Sequence, residues 1–248
     1  MRSSHIWAVI AERRAFGTTT EPEPSRWRLQ VPADAPGQDL VAVGADLEPG
    51  TLLAGYRSGL FPMGVGEGGR DPLGWWSPDP RGVIGPGDVH VSRSLSRAMR
   101  RFEVRIDTNL EGVMAGCADL RRAGGWITPD LLRAYRRLHR LGYVHSVEIF
   151  QDEVLVGGLF GIAIGGLFAG ESMFRRRTDA SKAALVALVR HLEASGDMAS
   201  SAPDARWLID VQWCTEHLAR MGAREVGREQ YLKGLPALTA GHHRWPPL

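Results

Sequence analysis

Cysteine is scarce in this sequence of 248 residues, and long apolar runs are absent. The two cysteines, Cys117 and Cys214, are too few for a disulfide framework and lack zinc-ligand spacing, which favours a reduced compartment. No apolar run approaches the roughly 20 residues that cross a bilayer. The apolar stretch near the start is too short for a secretory signal. We therefore expect a cytoplasmic location and no membrane partner.

Several familiar arrangements of catalytic residues are also missing. The chain has no Gly-x-Ser-x-Gly turn, no His-x-x-His pair and no cysteine with an evident catalytic partner. His242 and His243 are the only closely paired histidines, and we expect them in a solvated tail. These absences argue against a covalent nucleophile, a bound metal and a cofactor.

The positive charge of the chain is concentrated in its middle. The net charge is only +2, but residues 90–182 contain 15 basic and 10 acidic side chains. Nearly all of the basic residues are arginines, because Lys182 and Lys233 are the only lysines. Codon bias in a GC-rich genome explains the residue type but not the clustering. Arginine binds phosphate through two parallel hydrogen bonds, so a phosphate-bearing partner is one interpretation.

Two arginine clusters lie in or beside this region. The first is on a predicted helix that starts with Thr128 as N-cap and Pro129 at the first position and stops at Gly142. Its arginines form either a solvated face or a phosphate-tracking face. The second cluster, Arg175–Arg177, is either an exposed basic loop or a phosphate site. The arginines of the helix are Arg133, Arg136, Arg137 and Arg140.

Two short polar segments interrupt apolar surroundings. Gly170–Phe174 and Trp207–Trp213 are each typical of a strand, with Glu171 in the first and Asp210 in the second. A buried carboxylate is costly unless it has a partner. Strand alternation places Asp210 and Gln212 on one face, with their apolar neighbours on the other. These polar groups either satisfy each other in the core or orient an amine and its carbonyl target.

The predicted elements indicate an α+β fold in two unequal units. Residues 1–26 are expected to be a flexible leader, 27–80 a small N-terminal α/β domain, 81–240 the larger domain and 241–248 a tail. Strands are predicted at Leu40–Val43, Phe102–Ile106, His145–Phe150, Glu153–Ile164, Leu167–Phe174 and Trp207–Trp213. Helices are predicted at Pro49–Gly59, Ser92–Arg101, Asn109–Arg122, Pro129–Leu141, Asp179–Gly196, Thr215–Met221 and Arg228–Leu238, and a glycine-rich loop at Gly64–Gly74. A short helix at Ile6–Phe16 is the alternative to a fully flexible leader.

Seven motifs in a fixed order point to one family. They are Gly55–Met63, Trp75–Arg81, Trp126–Thr128, Gly170–Phe174, Asp179–Lys182, Leu208–Gln212 and His217–Ala223. In this order and spacing the sequence resembles the bacterial leucyl/phenylalanyl-tRNA–protein transferases. Each motif alone is weakly specific, whereas seven in order are very hard to obtain by chance. The resemblance covers about Leu40 to Leu235, which is most of the chain.

The resemblance implies a small N-terminal domain and a larger domain similar to the acetyltransferase (GNAT) superfamily. It implies transfer of leucine or phenylalanine, and methionine less well, from aminoacyl-tRNA to proteins that begin with arginine or lysine. The new peptide bond marks the acceptor protein for degradation. We expect a monomer with these two partners. Because Leu188 and Leu192 stand where some relatives carry phenylalanine, the preference between leucine and phenylalanine stays open.

The motif match also implies roles for individual residues. Asp210 and Gln212 take the place of the catalytic pair, Asp210 to attract the acceptor's ammonium group and Gln212 to orient the amine or the carbonyl. Glu171 holds the α-ammonium group of the donated residue, and Trp126 lies at its pocket. The apolar pocket itself involves Leu159, Phe168, Met173, Leu185, Leu188, Leu192 and Ile209.

The resemblance gives the aromatic and basic residues a role toward RNA. Trp75 and Trp76 either pack where the two domains meet or stack on the terminal adenosine of the tRNA. The tRNA phosphates are expected to contact Arg175, Arg176, Arg177, Lys182, Arg133 and Arg137.

Two rival functions are considered beside this one. A coenzyme-A-dependent acetyltransferase needs a glycine-containing loop that cradles pyrophosphate, and the segment Arg175–Lys182 has no glycine. A non-catalytic RNA-binding module leaves Asp210, Gln212 and Glu171 without a role.

Overall fold

The structure, a computed structural model, describes residues 19–32, 37–119, 125–195, 207–240 and Trp245. Within these ranges the strands are β1 (Leu40–Val43), β2 (Phe61–Gly64), β3 (Leu73–Trp76), β4 (Arg81–Ile84), β5 (Glu103–Ile106), β6 (Val144–Gln151), β7 (Val154–Ile164), β8 (Leu167–Arg175), β9 (Leu208–Gln212) and β10 (Arg224–Val226). The helices are α1 (Pro49–Arg57), α2 (Arg93–Met99), α3 (Leu110–Cys117), α4 (Pro129–Arg140), α5 (Ala180–Ser195), α6 (Glu216–Arg220) and α7 (Arg228–Thr239). The predicted mixture of helices and strands is confirmed. Among these helices, none has the length and apolar composition to cross a bilayer.

The first sheet is small and antiparallel, in the order β1–β3–β2. Beside it α1 starts at Pro49, where a residue without an N–H breaks no intrahelical hydrogen bond, and it buries Leu52, Leu53 and Tyr56. The sequence predicts only a glycine-rich loop over Gly64–Gly74 here. In the structure that loop is the turn of the hairpin formed by β2 and β3.

The second sheet contains seven strands in the order β10–β4–β9–β8–β7–β6–β5. The chain passes from the first sheet to the second between Trp76 and Arg81. Two strands of this sheet, β4 and β10, were not predicted, because three or four residues between turn-forming segments give too short a pattern.

Each face of the large sheet covers a different core. On one face Val113, Leu131 and Phe160 pack together with Leu52 and Trp75 of the small unit, so this core joins the two units. On the other face α5 packs against the sheet. That second core contains Leu185, Leu188, Phe168, Ile209 and Ile84.

The connection β8–α5–β9 makes the one parallel strand pair of the described sheets. Paired residues run from Leu167–Leu208 to Ala169–Asp210, and the pairing then stops. A helical crossover is how a chain returns to run parallel to the strand it has left. The two strands separate beyond Ala169 and Asp210, and this gap holds the candidate site.

Most predicted helices are confirmed with ends shifted by a few residues. The helix predicted from Asn109 starts there, with the Asn109 side chain accepting from the Gly112 N–H at 2.9 Å, but it ends at Cys117. The predicted Ile6–Phe16 helix, residues 1–18 of the leader and the histidines of the tail lie outside the described residues.

The described part of the predicted flexible leader, residues 19–26, makes defined contacts with both units. Glu21 accepts from Arg57 of α1 at 2.5 and 2.9 Å and from the Tyr143 hydroxyl at 2.6 Å. The Ser25 and Thr51 hydroxyls lie 2.9 Å apart. These residues are therefore packed against the domains, because a single carboxylate bridges α1 and the start of β6.

A buried carboxylate in β6 couples stability to pH. Glu148 accepts from the Ser146 hydroxyl at 2.5 Å and from the N–H and hydroxyl of Thr108 at 3.3 and 3.1 Å. Burial raises the pKa of Glu148 to about 7, and the nearby Asp107 carboxylate acts in the same direction. Ionised Glu148 is therefore less favourable in the folded chain than in the unfolded chain.

Replacing Glu148 with glutamine should flatten the pH dependence of stability. A carboxyl group with a raised folded-state pKa costs nothing below pH about 4.5, and its full penalty is present above pH about 7. A shift of this size corresponds to roughly 3 kcal/mol. We expect the unfolding free energy of the wild type, measured in urea, to fall between pH 5 and pH 8 by more than that of Glu148→Gln.

The matched control is Glu193→Gln, which changes an exposed glutamate of α5. Its curve should run parallel to that of the wild type. Parallel curves for Glu148→Gln and the wild type would contradict the assignment of this pH dependence to Glu148.

Candidate active site

A cavity of about 310 Å³ opens where β8 and β9 separate. Its wall is largely apolar, with polar groups from β8, β9 and α6. This size and composition are typical of a pocket for a small organic group. The residues that line it are Cys117, Gly125, Trp126, Leu159, Phe168, Gly170, Glu171, Ser172, Met173, Leu185, Leu188, Ile209, Val211, Gln212, Thr215, His217 and Leu218.

Each of the two polar segments contains a β-bulge at the cavity. In β8, Gly170 and Ser172 pair with consecutive residues of β7, so Glu171 is the extra residue. In β9, Asp210 and Gln212 pair with consecutive residues of β4, so Val211 is the extra residue. A bulge disrupts strict alternation and redirects side chains, and bulges are frequent beside active sites.

The bulge in β9 overturns the expected grouping of side chains. Strict alternation predicts Gln212 beside Asp210 and opposite Ile209 and Val211. The structure places Gln212, Ile209 and Val211 on the cavity wall, and Asp210 is not among the residues that line it. The physical reason is the backbone of Gln212, which adopts a left-handed conformation with φ of 59°.

Gln212 is a buried polar group of the cavity with an unused donor. Its side chain is 8% exposed, and its Nε2 has no hydrogen-bond partner among the residues that the structure describes. An unsatisfied buried amide costs about 1–3 kcal/mol, and a left-handed backbone at a non-glycine residue adds strain. Such costs at one residue of a cavity point to a functional group.

Asp210 is held in a buried ion pair. Its two oxygens accept from Nε and Nη2 of Arg81 at 2.8 and 2.5 Å, and both side chains are 1% exposed. The Tyr231 hydroxyl and the Gln212 N–H donate to the same carboxylate at 2.9 and 3.0 Å. The predicted docking of an acceptor's ammonium group on Asp210 does not fit this arrangement, because the carboxylate has no free access and already has a cation.

Arg81 is satisfied as completely as Asp210. Its Nη1 donates to the Gly59 carbonyl at 3.0 Å, and its guanidinium lies 4.6 Å from the ring centre of Tyr231 and 5.3 Å from that of Phe61. Burial acts to lower the pKa of Arg81, but the nearby Asp210 carboxylate acts in the opposite direction, and the net result is a raised pKa. Arg81 therefore stays charged and paired.

Glu171 lines the cavity, but its carboxylate already has two donors. The hydroxyls of Tyr56 and Tyr135 donate to its two oxygens at 2.8 and 2.6 Å. Burial raises the pKa of Glu171 to about 7, although both tyrosine hydrogen bonds oppose this change. A carboxyl group with this pKa can change protonation state when a cation approaches. Sequence reasoning missed both tyrosines, because they lie 115 and 36 residues away along the chain.

The predicted apolar pocket coincides with the cavity at all but one position. Leu192 is buried in α5 but is absent from the cavity wall. Trp126 lies at the wall, where the hairpin turn of the small sheet approaches its backbone. Gly69 in that turn has φ of 74°, and a Cβ there would lie 2.0 Å from the Trp126 carbonyl oxygen. The predicted residues on the wall are Leu159, Phe168, Met173, Leu185, Leu188 and Ile209.

The two adjacent tryptophans differ in exposure. Trp75 is 0% exposed and donates to the Gly44 carbonyl at 3.0 Å, so its ring packs in the core and has no face for a base. Trp76 is half-buried and donates to the Met63 carbonyl at 2.8 Å. Its ring centre lies 6.1 Å from that of Trp213, which is exposed. Neither Trp75 nor Trp76 lines the cavity.

The predicted basic residues form two separate groups. Arg175, Arg176 and Arg177 are exposed at the end of β8, and Lys182 is bound to Asp179 at 2.8 Å in the first turn of α5. On α4, Arg133 pairs with Asp130, whereas Arg137 donates to Glu48 at 2.9 Å and to the Leu47 carbonyl at 2.8 Å.

These contacts give the arginines of α4 a structural role. Arg137 ties α4 to the segment that precedes α1, and Arg136 is paired with Glu111 at 2.7 Å. A large open groove of about 990 Å³ runs between α4 and the small unit and contains all four arginines of this helix. A phosphate on α4 would therefore have to displace carboxylates that already pair with Arg133, Arg136 and Arg137. The exposed residues Arg175–Arg177 have fewer such pairs among the described residues.

Sequence reasoning missed several residues of the wall, of which Ser172, Thr215 and His217 carry polar groups. Thr215 caps α6 by accepting from the Leu218 N–H at 3.3 Å. Burial lowers the pKa of His217, and the nearby charges of Lys182, Arg175 and Arg220 act in the same direction. The signal was available, because His217 opens one of the seven motifs.

The described residues contain no group of three or more histidine, cysteine, aspartate or glutamate side chains placed to hold a metal ion. What the cavity offers is an apolar wall, a buried amide donor, a carboxyl group with a shifted pKa and a histidine. This set can position an acyl group and an amine and can move a proton.

Comparisons with known proteins show which family this chain is similar to. Residues 83–236 match the sequence model described as leucyl/phenylalanyl-tRNA protein transferase, and residues 45–79 match that of its N-terminal domain. The chain is 49% identical over 213 residues to the leucyl/phenylalanyl-tRNA--protein transferase of Aromatoleum aromaticum, which covers 83% of this chain and 85% of the relative. It is 42% identical over 219 residues to the leucyl/phenylalanyl-tRNA--protein transferase of Sulfurimonas denitrificans. This match covers 86% of this chain and 91% of the relative.

The matches span both sheets and include the separated ends of β8 and β9 together with the cavity between them. The chain therefore belongs to the leucyl/phenylalanyl-tRNA–protein transferase family, whose members are aminoacyltransferases.

Proposed function

We propose that this enzyme transfers leucine or phenylalanine, and methionine less well, from aminoacyl-tRNA to the N-terminal arginine or lysine of acceptor proteins. The peptide bond formed marks the acceptor for degradation. The observation that carries the proposal is the buried amide of Gln212 on the wall of an apolar cavity, because its Nε2 has no hydrogen-bond partner among the described residues. An ester of tRNA is already activated, so positioned hydrogen bonds and proximity suffice for aminolysis.

The cavity supplies a site for the donated residue. Its leucine, phenylalanine and isoleucine side chains accept an unbranched or γ-branched apolar group, and about 310 Å³ holds a leucyl or phenylalanyl side chain. Glu171 binds the α-ammonium group of the same residue. The approach of this cation favours ionised Glu171 over the neutral form that burial otherwise stabilises.

Gln212 acts on the reacting atoms. Its Nε2 donates to the carbonyl oxygen of the ester as the acceptor's amine attacks and negative charge develops on that oxygen. A donor fixed at this position is already desolvated, so it is worth more in the transition state than in water. The bond to the 3′-oxygen then breaks, and that oxygen leaves with a proton.

Asp210 acts through the backbone of Gln212. The hydrogen bond from the Gln212 N–H to the Asp210 carboxylate holds the strained left-handed conformation that turns the amide toward the cavity. Asp210 is therefore a positioning residue, and Arg81 and Tyr231 fix its orientation.

The tRNA phosphates contact Arg175, Arg176, Arg177 and Lys182 near the end of β8, with weaker contributions from Arg133 and Arg137. Support for this placement comes from the exposure of Arg175–Arg177 and from the nearness of Arg175 and Lys182 to His217 on the cavity wall. Trp76 and the exposed Trp213 offer aromatic surface for an unpaired base.

We further propose that the enzyme is a cytoplasmic monomer, with a small domain at 27–80 and a GNAT-like domain at 81–240. The change of sheet between Trp76 and Arg81 supports the boundary. The parallel pair of β8 and β9, whose strands separate at the cavity, supports the GNAT-like fold of the larger domain.

The proposed function is tested by incubating the enzyme with charged tRNA and a peptide, followed by mass spectrometry. Phe-tRNA or Leu-tRNA should add one residue to a peptide that begins with arginine and none to the same peptide beginning with glutamate. Modification of neither peptide, with acetylation by acetyl-coenzyme A instead, would contradict the proposal.

Gln212→Ala should lower the single-turnover rate of transfer by on the order of 10²–10³, because it removes one transition-state hydrogen bond. Binding of Phe-tRNA should change little. Gln230→Ala, at an exposed position of α7, is the matched control and should transfer at the normal rate. A near-normal rate for Gln212→Ala would exclude this role.

Asp210→Asn should lower the unfolding free energy by about 3–5 kcal/mol, because it leaves the Arg81 charge buried without a counter-ion. The double variant Arg81→Met with Asp210→Asn removes that charge and should recover most of the loss in urea denaturation. If Asp210→Asn kept full stability and raised only the KM for the acceptor peptide, Asp210 would be the docking group after all.

Leu188→Ala should shift the donor preference toward the larger side chain. The change widens the cavity, so kcat/KM should fall more for Leu-tRNA than for Phe-tRNA, by roughly 5- to 150-fold for a difference of 1–3 kcal/mol. Leu192→Ala removes the same atoms from the buried side of α5 but outside the wall, and it should lower stability without changing the ratio. Equal changes of the kcat/KM ratio in both variants would contradict the assignment of this cavity as the pocket for the donated side chain.

A further inference from the structure

Aminolysis requires a neutral amine, whereas an α-amino group with a pKa of about 7.7–8.0 is mostly protonated at pH 7. The attack therefore needs a group that accepts a proton. An amide such as that of Gln212 is not a base near neutral pH. This inference rests on the proposed function and concerns the route of that proton.

The cavity wall contains three titratable side chains, Cys117, Glu171 and His217. Glu171 is occupied by the hydroxyls of Tyr56 and Tyr135 at 2.8 and 2.6 Å and serves the donor side of the reaction. Asp210 lies outside the wall, and its carboxylate is already held in the buried ion pair with Arg81. Cys117 is buried in the core at the end of α3.

His217 differs from the other two in its access to solvent. It lies on α6, five residues beyond Gln212, and the turn between them leads into the cap formed by Thr215. Its side chain lines the cavity and is also exposed. A base in this position can meet an acceptor that enters from solvent and can return the proton to solvent afterwards.

We propose that His217 is the general base that takes the proton from the α-ammonium group of the acceptor. The proton passes to the imidazole, and the neutral nitrogen forms a bond to the ester carbonyl carbon. As the carbon–oxygen bond breaks, the second amine proton goes to the 3′-oxygen. The products are the amide, a free 3′-hydroxyl and an imidazolium that releases its proton to solvent.

The charges around His217 favour the neutral, proton-accepting form. Arg175 from β8, Lys182 from α5 and Arg220 from α6 all act with burial to lower its pKa. The acids beside them are engaged, since Asp179 binds Lys182 and Glu216 binds Arg220. These effects favour the neutral imidazole, which is the form that can accept a proton.

The test is the pH profile of single-turnover transfer to an Arg-initiated peptide, corrected for ester hydrolysis, in the wild type, His217→Gln and His217→Ala. The wild-type rate should rise at acid pH through the lowered pKa of His217 and then level off. Both variants should be about tenfold slower at pH 7, and their rates should keep rising to the pKa of the peptide amine. Added imidazole should restore His217→Ala, and Phe-tRNA binding should stay within a few-fold.

His90→Gln changes an exposed histidine outside the cavity and should keep the wild-type profile. Profiles of the wild type and both variants that run parallel, without imidazole rescue, would overturn the role of His217 while leaving the proposed function intact. Weakened Phe-tRNA binding with an unchanged profile would make His217 an RNA contact and would also overturn it. A wild type that transfers to no peptide at any pH would instead refute the proposed function.

Discussion

The ion pair between Arg81 and Asp210 connects the parts of the molecule that build the site. Arg81 is in the first strand after the small unit, Asp210 is in β9, and Tyr231 of α7 donates to the same carboxylate. Arg81 also reaches the Gly59 carbonyl just after α1, so one guanidinium joins both units. Two charges that are 1% exposed are stable only with complete hydrogen bonding, and these contacts provide it.

The orientation of Gln212 depends on this pair. Because the Asp210 carboxylate is fixed, it can accept from the Gln212 N–H and hold a backbone conformation that is otherwise unfavourable. The amide then faces the cavity, where β8 and β9 no longer pair. The second bulge does the same for Glu171, which reaches the cavity between the hydroxyls of Tyr56 and Tyr135. Both functional groups thus depend on partners that are distant in the sequence.

Local patterns predict the elements of this fold better than they predict its site. The helix after Thr128 and the strand at Leu40–Val43 follow from caps and apolar periodicity, and both are confirmed. The direction of the side chains on β9 cannot be predicted in this way. A period of two assumes a regular strand, and the bulge at Val211 interrupts the alternation. Arg81 cannot be assigned to Asp210 from sequence spacing either, since 129 residues separate them.

Side-chain nitrogen NMR gives the most direct test of the central claim, that Asp210 stays paired with Arg81 while Gln212 meets the substrate. The probe is a stable amide analogue of 3′-phenylalanyl-adenosine. The account predicts that the Arg81 Nε–H exchanges slowly with solvent both before and after binding, and that the Gln212 side-chain signal shifts on binding. Release of the Arg81 Nε–H to fast exchange, with an unchanged Gln212 signal, would contradict it.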